Sequence, residues 1–253
     1  MKHYLSLLFV NLTCVFMSFG QLRCPPVYGD NSLRKFHITI GGGITSLYGD
    51  IDKSNTAGWG TYGRLDYTII RGLNIGGEGQ IGSLEAVSNP PYDRREVKGN
   101  YFNLGLSMSA YPFDMSLGSN RRRSSFGERL ARGFYLGVGG GFIYNFHRGH
   151  NFRDLNNLGT YGPPDSDDVL ANPRFKQRTS SLLLPVLNGG FTIPFTNDSF
   201  RQKGYWSIVI NGQFNFADND DMDGYVPLKA DGTRLGKEND YYGFYSLGVR
   251  YSL

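Results

Sequence analysis

Hydrophobic and polar residues alternate along much of the chain, and the alternation is clear in its last thirteen residues, 241–253. Read at a period of two, one face of this stretch is aromatic and aliphatic, and the other is mostly small or polar and includes Arg250. This pattern predicts a β-strand with one face in an apolar environment. Because the apolar face continues to Leu253, the stretch is typical of a strand that closes a barrel against lipid.

Seven earlier segments alternate in the same way. They begin at about Phe36, Trp59, Ile75, Phe102, Gly133, Thr179 and Trp206. In the sixth, Pro185 and Pro194 predict a bulge or an end, and we expect it to turn Leu183, Leu187, Phe191, Ile193 and Phe195 outward. No run after the first twenty residues approaches the roughly 20 apolar residues of a membrane helix. The sequence therefore predicts an all-β fold, an eight-stranded antiparallel transmembrane up-and-down β-barrel over residues 36–253.

The links between these segments fall into two groups. Those assigned outside the cell are 50–58, 89–98, 147–178 and 217–240, and those assigned to the periplasm are 71–74, 115–132 and 197–203. Outer-membrane barrels have long outside loops and short periplasmic turns, and only the link 115–132 departs from that rule. We therefore expect both termini of the mature chain to be periplasmic.

The first twenty residues resemble a secretory signal, with Lys2 before an apolar stretch and small residues near Gly20. Residues 1–20 are predicted to be a signal peptide and 21–35 an irregular periplasmic leader. Cys24 is left without a partner in the mature chain, and its fate stays open. Export to the outer membrane of a Gram-negative cell follows from this reading and the predicted barrel.

Composition supports a chain of many short aromatic strands, with 35 Gly, 17 Tyr and 18 Phe in 253 residues. The formal net charge of +4 is modest and gives no reason to propose nucleic-acid binding.

An eight-stranded barrel is filled by its own side chains. The register predicts that five ionisable side chains point into this lumen: His37, Arg64, Asp66, Glu78 and Arg250. Buried charges need partners, so we expect an ion-pair network in which Arg250 reaches Asp66 or Glu78. A proton or ion path through the lumen is the alternative.

The link 115–132 carries five arginines and one acidic residue, Glu128. The arginines are Arg121, Arg122, Arg123, Arg129 and Arg132. Guanidinium groups bind both lipid phosphates and acidic protein surfaces, so this link is a candidate docking site. A solvated basic loop is the simpler alternative.

A second link suggests a metal site. Asn219, Asp221 and Asp223, followed by Gly224, match the first half of a calcium loop. The twelfth position is Ala230 instead of the usual glutamate, so a solvated acidic loop is the alternative. No other cofactor is expected.

An enzyme that modifies lipids is also conceivable. Four polar residues lie near the predicted outer rim: His147, His150, Asp154 and Ser180. Their spacing does not define a triad, so no catalytic residues are predicted.

The pattern Gly248-x-x-Tyr251-x-Leu253 resembles the C-terminal insertion signal of outer-membrane barrels, although that signal usually ends on Phe. With the signal ending Ser-Phe-Gly-Gln and the eight alternating segments, the chain resembles the small outer-membrane barrel family of the OmpA and OmpX type, in a form common in Bacteroidota. The resemblance implies an outer-membrane protein among lipids and lipopolysaccharide. Two roles fit it: surface interaction or envelope structure, and an accessory subunit of a secretion, uptake or barrel-assembly machine bound to other outer-membrane or periplasmic proteins.

Overall fold

The computed structural model describes residues 34–49, 56–87, 96–116, 126–151, 174–175, 178–195, 204–219, 222–226 and 239–253. The strands within these ranges are β1 (Phe36–Tyr48), β2 (Gly58–Ile70), β3 (Leu73–Val87), β4 (Glu96–Ala110), β5 (Phe134–Asn151), β6 (Arg174–Phe175), β7 (Arg178–Pro194), β8 (Tyr205–Ala217), β9 (Tyr225–Val226) and β10 (Tyr241–Ser252). Two short helices, α1 (Pro112–Ser116) and α2 (Phe126–Gly133), lie between β4 and β5. The predicted signal peptide, most of the leader and Cys24 lie outside the described residues.

Eight of the strands form a closed barrel in the order β1-β10-β8-β7-β5-β4-β3-β2, and every neighbouring pair is antiparallel. Closure is made by β1 and β10, whose pairing runs from His37 opposite Ser252 to Tyr48 opposite Tyr241. The predicted fold class, strand number and closing strand are therefore confirmed. The short strands β6 and β9 pair with each other in a separate sheet. Within the described ranges, no helix has the length and apolar character needed to cross a membrane.

The two ends of the barrel differ in their connections. At the turn end lie the start of β1, the end of β10, residues 71–72 and both helices. At the loop end lie the links that follow Tyr48, Val87, Asn151 and Ala217. The tightest turn, between β2 and β3, needs a glycine because Gly72 has a φ of 77°.

Several strands extend further toward the loop end than predicted. β4 begins at Glu96 and β5 ends at Asn151, so the predicted link 89–98 ends too late and the predicted link 147–178 starts too early. The extension is stabilised by polar pairs: Lys98 lies opposite Glu85, and its Nζ is 3.2 Å from the Glu85 carboxylate. Such pairs break the apolar alternation on which the link prediction rested.

The two faces of the barrel wall have opposite character. Outward-facing aliphatic side chains are more than half exposed in the isolated chain, among them Ile40, Leu65, Leu104, Leu106, Leu136 and Leu247. The inward face carries the buried polar, charged and aromatic residues. The barrel is therefore apolar on the outside and polar over much of its inside, the inverse of a soluble protein.

β7 departs from the predicted alternation at one place. Leu183 pairs with Ala217 and Val186 pairs with Asn215, so β7 carries one more residue than β8 over this interval. This irregularity contains Pro185, as predicted, and it inverts the inward and outward positions. Leu183 is therefore fully buried inside the barrel, and the prediction that it faces outward is wrong. Beyond the bulge, Leu187, Phe191 and Phe195 are exposed as predicted.

Candidate functional site

The charged centre of the lumen is Asp66, which lies between two arginines. The Arg64 Nε donates to Oδ1 of Asp66 at 2.7 Å, and Nη2 of Arg250 donates to Oδ2 at 3.0 Å. All three residues are at most 5% exposed. Glu78 is more distant, with its Oε2 3.7 Å from Nη1 of Arg64. The structure thus brings together four of the five predicted lumen residues and places Arg250 on Asp66.

The other guanidinium nitrogens bind neutral groups on several elements. Arg64 donates to the Ser109 hydroxyl at 2.7 Å, and Arg250 donates to Thr39 at 3.0 Å and to the Tyr111 hydroxyl at 2.7 Å. These bonds connect β1, β2, β4 and β10 with the residue that precedes α1. Buried charges are costly unless they are paired and hydrogen-bonded, and here both conditions are met.

His37, the fifth predicted residue, belongs to a neighbouring polar cluster at the turn end. Its Nδ1 is 2.8 Å from the Ser252 hydroxyl, and its Nε2 is 2.9 Å from the Thr68 hydroxyl. The Thr68 hydroxyl donates to the Asn74 side chain at 2.8 Å. Since that donation uses the only hydroxyl hydrogen of Thr68, the hydrogen in the contact with His37 must come from Nε2. His37 therefore connects β10 to β2.

From Glu78 a chain of amides continues toward the middle of the lumen. Gln80 donates to Glu78 Oε1 at 2.5 Å and to Gln213 at 3.1 Å, and Gln213 donates to Asn215 at 2.9 Å. The Tyr242 hydroxyl donates to Gln80 at 3.1 Å. A small cavity beside this chain is lined by Glu78, Asn103, Ser107, Asn188 and Gln213, among others. Polar contacts thus continue from the charged centre to Tyr242 in the loop-end half of the lumen.

The loop-end half of the lumen contains a large apolar cluster. Its buried cluster contains Leu47, Tyr62, Leu84, Ala86, Val97, Tyr101, Ile143, Leu183, Val186, Ala217, Met222, Tyr242 and Phe244. Met222 comes from the link between β8 and β10 and is fully buried. Its amide donates to the Asp240 carboxylate at 2.8 Å, and its carbonyl accepts from Asn145 at 3.2 Å. A segment that looked like a metal loop in the sequence therefore contributes to the interior of the barrel.

The predicted calcium ligands have protein contacts of their own. The Asn219 side chain accepts from the Ser181 hydroxyl at 2.7 Å and donates to the Ser180 carbonyl at 3.3 Å. Asp223 is 1% exposed, and its amide donates to Asp240 at 3.3 Å. Asp221 lies outside the described residues, and among those described no group of three His, Cys, Asp or Glu could hold a metal ion. Calcium binding stays a prediction.

The two longest loop-end links are joined to each other. Their short strands β6 and β9 pair, with Arg174 opposite Val226 and Phe175 opposite Tyr225. Leu182 of β7 and Asp218 exchange two hydrogen bonds of 2.9 and 3.0 Å, which continue the pairing of β7 with β8 into the start of the link 218–240. The links 152–177 and 218–240 are therefore coupled through β6 and β9.

The arginine-rich link differs from a free basic loop. Arg132 is 8% exposed and donates to Glu128, one helical turn before it, at 2.7 Å. Asp114 at the start of α1 lies 3.5 Å from Nη2 of Arg71 and 3.9 Å from Nη1 of Arg132. Arg129 is exposed, and Arg121, Arg122 and Arg123 lie outside the described residues. Asp114 was not predicted as a site residue, although an acidic residue in the first turn of a helix was a usable signal.

The predicted insertion signal lies at the barrel seam. Gly248 is opposite Gly41, and a β-carbon at Gly248 would lie 2.5 Å from the Tyr62 hydroxyl, so glycine makes room for that ring. The Tyr251 ring packs on Trp206 at 4.7 Å, and the Leu253 amide donates to the Phe36 carbonyl at 2.8 Å. Recognition of this motif during insertion stays a prediction.

The four residues considered for catalysis are not brought together where the structure describes them. His147 is buried, with Nε2 3.4 Å from the Thr179 hydroxyl, whereas Ser180 is exposed on the opposite face of the wall. The His150 side chain and Asp154 lie outside the described residues. The described geometry therefore places the histidine and serine of the enzyme hypothesis on opposite faces of the wall.

A closed eight-stranded wall with an apolar outer face and a side-chain-filled lumen defines a small barrel of the outer-membrane type. No protein-family model matches the chain, and no curated protein matches its sequence. Among solved structures, Neisserial surface protein A is similar, with 10% identity, a TM-score of 0.44, and coverage of 86% of this chain and 97% of that one. Ail of Yersinia pestis, bound to the heparin analogue sucrose octasulfate, gives 10% identity, a TM-score of 0.41, and coverage of 87% and 100%. The outer membrane protein OprG of Pseudomonas aeruginosa gives 10% identity, a TM-score of 0.36, and coverage of 88% and 99%.

Proposed function

We propose that this protein is a non-enzymatic outer-membrane barrel that presents its two coupled loop-end links as an interaction surface. The observation that carries the proposal is the connection between those links through the pairing of β6 with β9. Two loops that pair with each other lose conformational freedom before any partner binds. A barrel whose two links pair with each other at β6 and β9 is therefore a suitable scaffold for recognition at the cell surface.

The outer face of the barrel supports the membrane location. Aromatic rings pack against each other near the turn end, with Phe36 on Tyr67 at 5.1 Å and Phe134 on Phe191 at 5.4 Å. Near the loop end, the Tyr241 ring stacks between Tyr48 at 4.6 Å and Phe216 at 5.4 Å. Aliphatic side chains cover the wall between these two levels. An apolar band bounded by aromatic residues is the arrangement of a barrel that spans the outer membrane, with lipids and lipopolysaccharide around it.

The filled lumen favours the role of a scaffold and argues against the role of a channel. The charges at the turn end are paired, and the loop end is closed by the apolar cluster that includes Met222. We expect the purified protein in planar bilayers to give no steady conductance. A reproducible conductance of a size that needs a water-filled pore would contradict the filled-lumen proposal.

An accessory subunit of a larger outer-membrane assembly is the second candidate. The apolar belt and the exposed Arg129 near the turn end are the surfaces through which it would dock. Purification from native membranes in mild detergent separates the two candidates. A protein that migrates alone supports the scaffold, whereas stable stoichiometric co-purification supports the subunit.

The interaction role itself is tested by uncoupling the links. Replacing Arg174 and Phe175 by Gly-Ser removes a pairing strand that is not part of the barrel wall. We expect the variant to keep the heat-dependent gel shift of a folded barrel and to lose adhesion of expressing cells to host-cell or matrix surfaces. If wild-type cells show no such adhesion above cells without the gene, the proposed surface role is wrong.

A further inference from the structure

At the turn end, the helices α1 and α2 have two faces with different uses. One face carries Asp114, Glu128 and Arg132, which pair with each other and with Arg71. The polar groups on this face are therefore used inside the protein. The other face carries Phe113 and Phe126, which are 45% and 67% exposed. Met115 lies two positions after Phe113 on another side of α1, where its side chain reaches Gly72. Two large aromatic side chains exposed on two short helices need an apolar environment.

This apolar face is continuous with the outer wall of the barrel. The Phe113 ring lies 6.1 Å from the ring of Phe134, which packs on Phe191 of β7. The end of α2 lies directly against β7, because a β-carbon at Gly133 would lie 2.0 Å from the Thr192 carbonyl oxygen. The helices thus extend the aromatic level of the wall beyond the last barrel residues. The helices and the barrel wall therefore share the same surrounding medium at this level.

A cation lies beside the apolar residues. Arg129 is exposed and follows Phe126 by three positions, so both side chains lie on the same side of α2. Its helix neighbour Arg132 is occupied by Glu128, whereas Arg129 points to the exterior. An aromatic ring next to an exposed guanidinium is the combination found where a helix lies in the headgroup region of a bilayer, with the ring in the acyl boundary and the cation at the phosphates.

We propose that Phe113, Phe126 and Arg129 form an interfacial anchor that inserts into the headgroup region of the membrane leaflet at the turn end and contacts anionic phospholipid. The inference rests on the proposed membrane location of the barrel. Anionic phospholipid is favoured over a protein partner because the face is continuous with the lipid-facing wall and carries a positive charge.

Tryptophan fluorescence with brominated lipids tests this anchor in the full-length protein. The chain has two tryptophans, Trp59 and Trp206, both on the outer wall. Replacing both by Phe and introducing Phe126→Trp leaves a single tryptophan in the protein. This tryptophan lies on the anchor, at a position exposed enough to accept the larger ring. We expect lipids brominated near the glycerol end of the acyl chain to quench this tryptophan, and aqueous acrylamide to quench it several-fold less.

The matched control is Gly127→Trp in the same background. An added β-carbon there meets no atom within 4 Å, and the position lies to the side of Phe126 on the helix. We expect acrylamide to quench Trp at 127 more strongly than Trp at 126, and brominated lipid to quench it less. Equal lipid quenching at both positions, or acrylamide quenching at 126 equal to that at 127, would overturn the anchor and leave the face to another partner.

The native tryptophans separate failure of the anchor from failure of the proposed location. If brominated lipids fail to quench Trp59 and Trp206 in the unmodified protein, the membrane-spanning barrel itself is wrong. If they quench both but not Trp at 126, only the anchor is wrong.

The charge on the anchor is tested with lipid composition. We expect Trp at 126 to shift to shorter emission wavelength when phosphatidylglycerol is added to phosphatidylcholine vesicles, and Arg129→Gln to abolish that dependence. If the emission shift is unchanged in Arg129→Gln, the guanidinium has no role in contacting the anionic lipid.

Discussion

The two halves of the lumen are filled by different chemistry within one continuous wall. At the turn end, Arg64, Asp66 and Arg250 form a paired charged group whose hydrogen bonds join separate strands. At the loop end, the interior is built around a cluster of aliphatic and aromatic side chains that includes Met222, with buried polar groups such as Asn145 and Asp240 beside it. An ion-pair group depends on each partner, because removal of one leaves a buried charge. An apolar cluster depends on volume, so it loses stability in proportion to the atoms removed.

The connections explain why the halves differ. The tight turn at Gly72 leaves little chain that could enter the barrel between β2 and β3, so polar side chains of the wall fill this end themselves. At the loop end a long link inserts Met222, and the Asp240 carboxylate holds its backbone. The bulge in β7 adds to the apolar half because it turns both Leu183 and Val186 inward. Strand irregularity and a loop residue together make a core that regular alternation would not give.

The most severe change to the charged half is expected from Asp66→Ala. It removes the partner of two buried guanidinium groups at once, so we expect the free energy of unfolding to fall by about 3–5 kcal/mol. Urea unfolding of the protein in lipid vesicles, followed by tryptophan fluorescence, measures the loss.

A second substitution shows whether unpaired charge is the cause. Adding Arg250→Met to Asp66→Ala removes one of the two stranded cations, so the double variant should be more stable than Asp66→Ala alone. A double variant that loses the sum of both single effects would show that the pair is not coupled.

A smaller loss is expected from truncation in the apolar half. Leu183→Ala leaves a cavity in a fully buried site, which costs about 2–4 kcal/mol for a leucine. Leu184→Ala is the matched control, since Leu184 is 63% exposed on the outer face and its truncation leaves no internal cavity. The same unfolding measurement compares them. If Leu184→Ala lowers the free energy of unfolding more than Leu183→Ala does, the bulge of β7 lies elsewhere and Leu183 faces outward.

Period-two alternation was sufficient to predict the barrel because strand geometry fixes which side chains share a face. The sequence therefore identified all eight barrel strands and the direction of Arg64 and Asp66. It did not identify the inward position of Leu183, because alternation cannot show where an extra residue enters a strand. Pro185 marked the location of that bulge but not its effect on the residues around it.

Contacts between residues that are distant in the sequence were harder to predict from local pattern. Nothing in the local sequence shows that Met222 enters the lumen, since its flanking aspartates indicate an exposed acidic loop. The pairing of β6 with β9 is likewise invisible, because each strand has only two residues. The arginine-rich link departed from the rule of short periplasmic turns in the sequence, but the role of Asp114 depends on the fold of α1 against α2. Local pattern predicts faces, whereas these features depend on which segments meet in space.

The smallest effect is expected at the edge of the charged group, from Glu78→Gln. Arg64 lies 2.7 Å from the Asp66 carboxylate and 3.7 Å from Glu78, so its closer contact is with Asp66. Glutamine keeps the shape of glutamate and an oxygen that accepts from Gln80, and we expect a loss of about 1 kcal/mol in the free energy of unfolding. The matched variant Asp66→Asn makes the same chemical change where both carboxylate oxygens bind a guanidinium, and it should cost clearly more in the same urea titration. If the two amide variants lose equal stability, Glu78 is a full member of the charged group, and the boundary between the two halves lies closer to the loop end than the distances indicate.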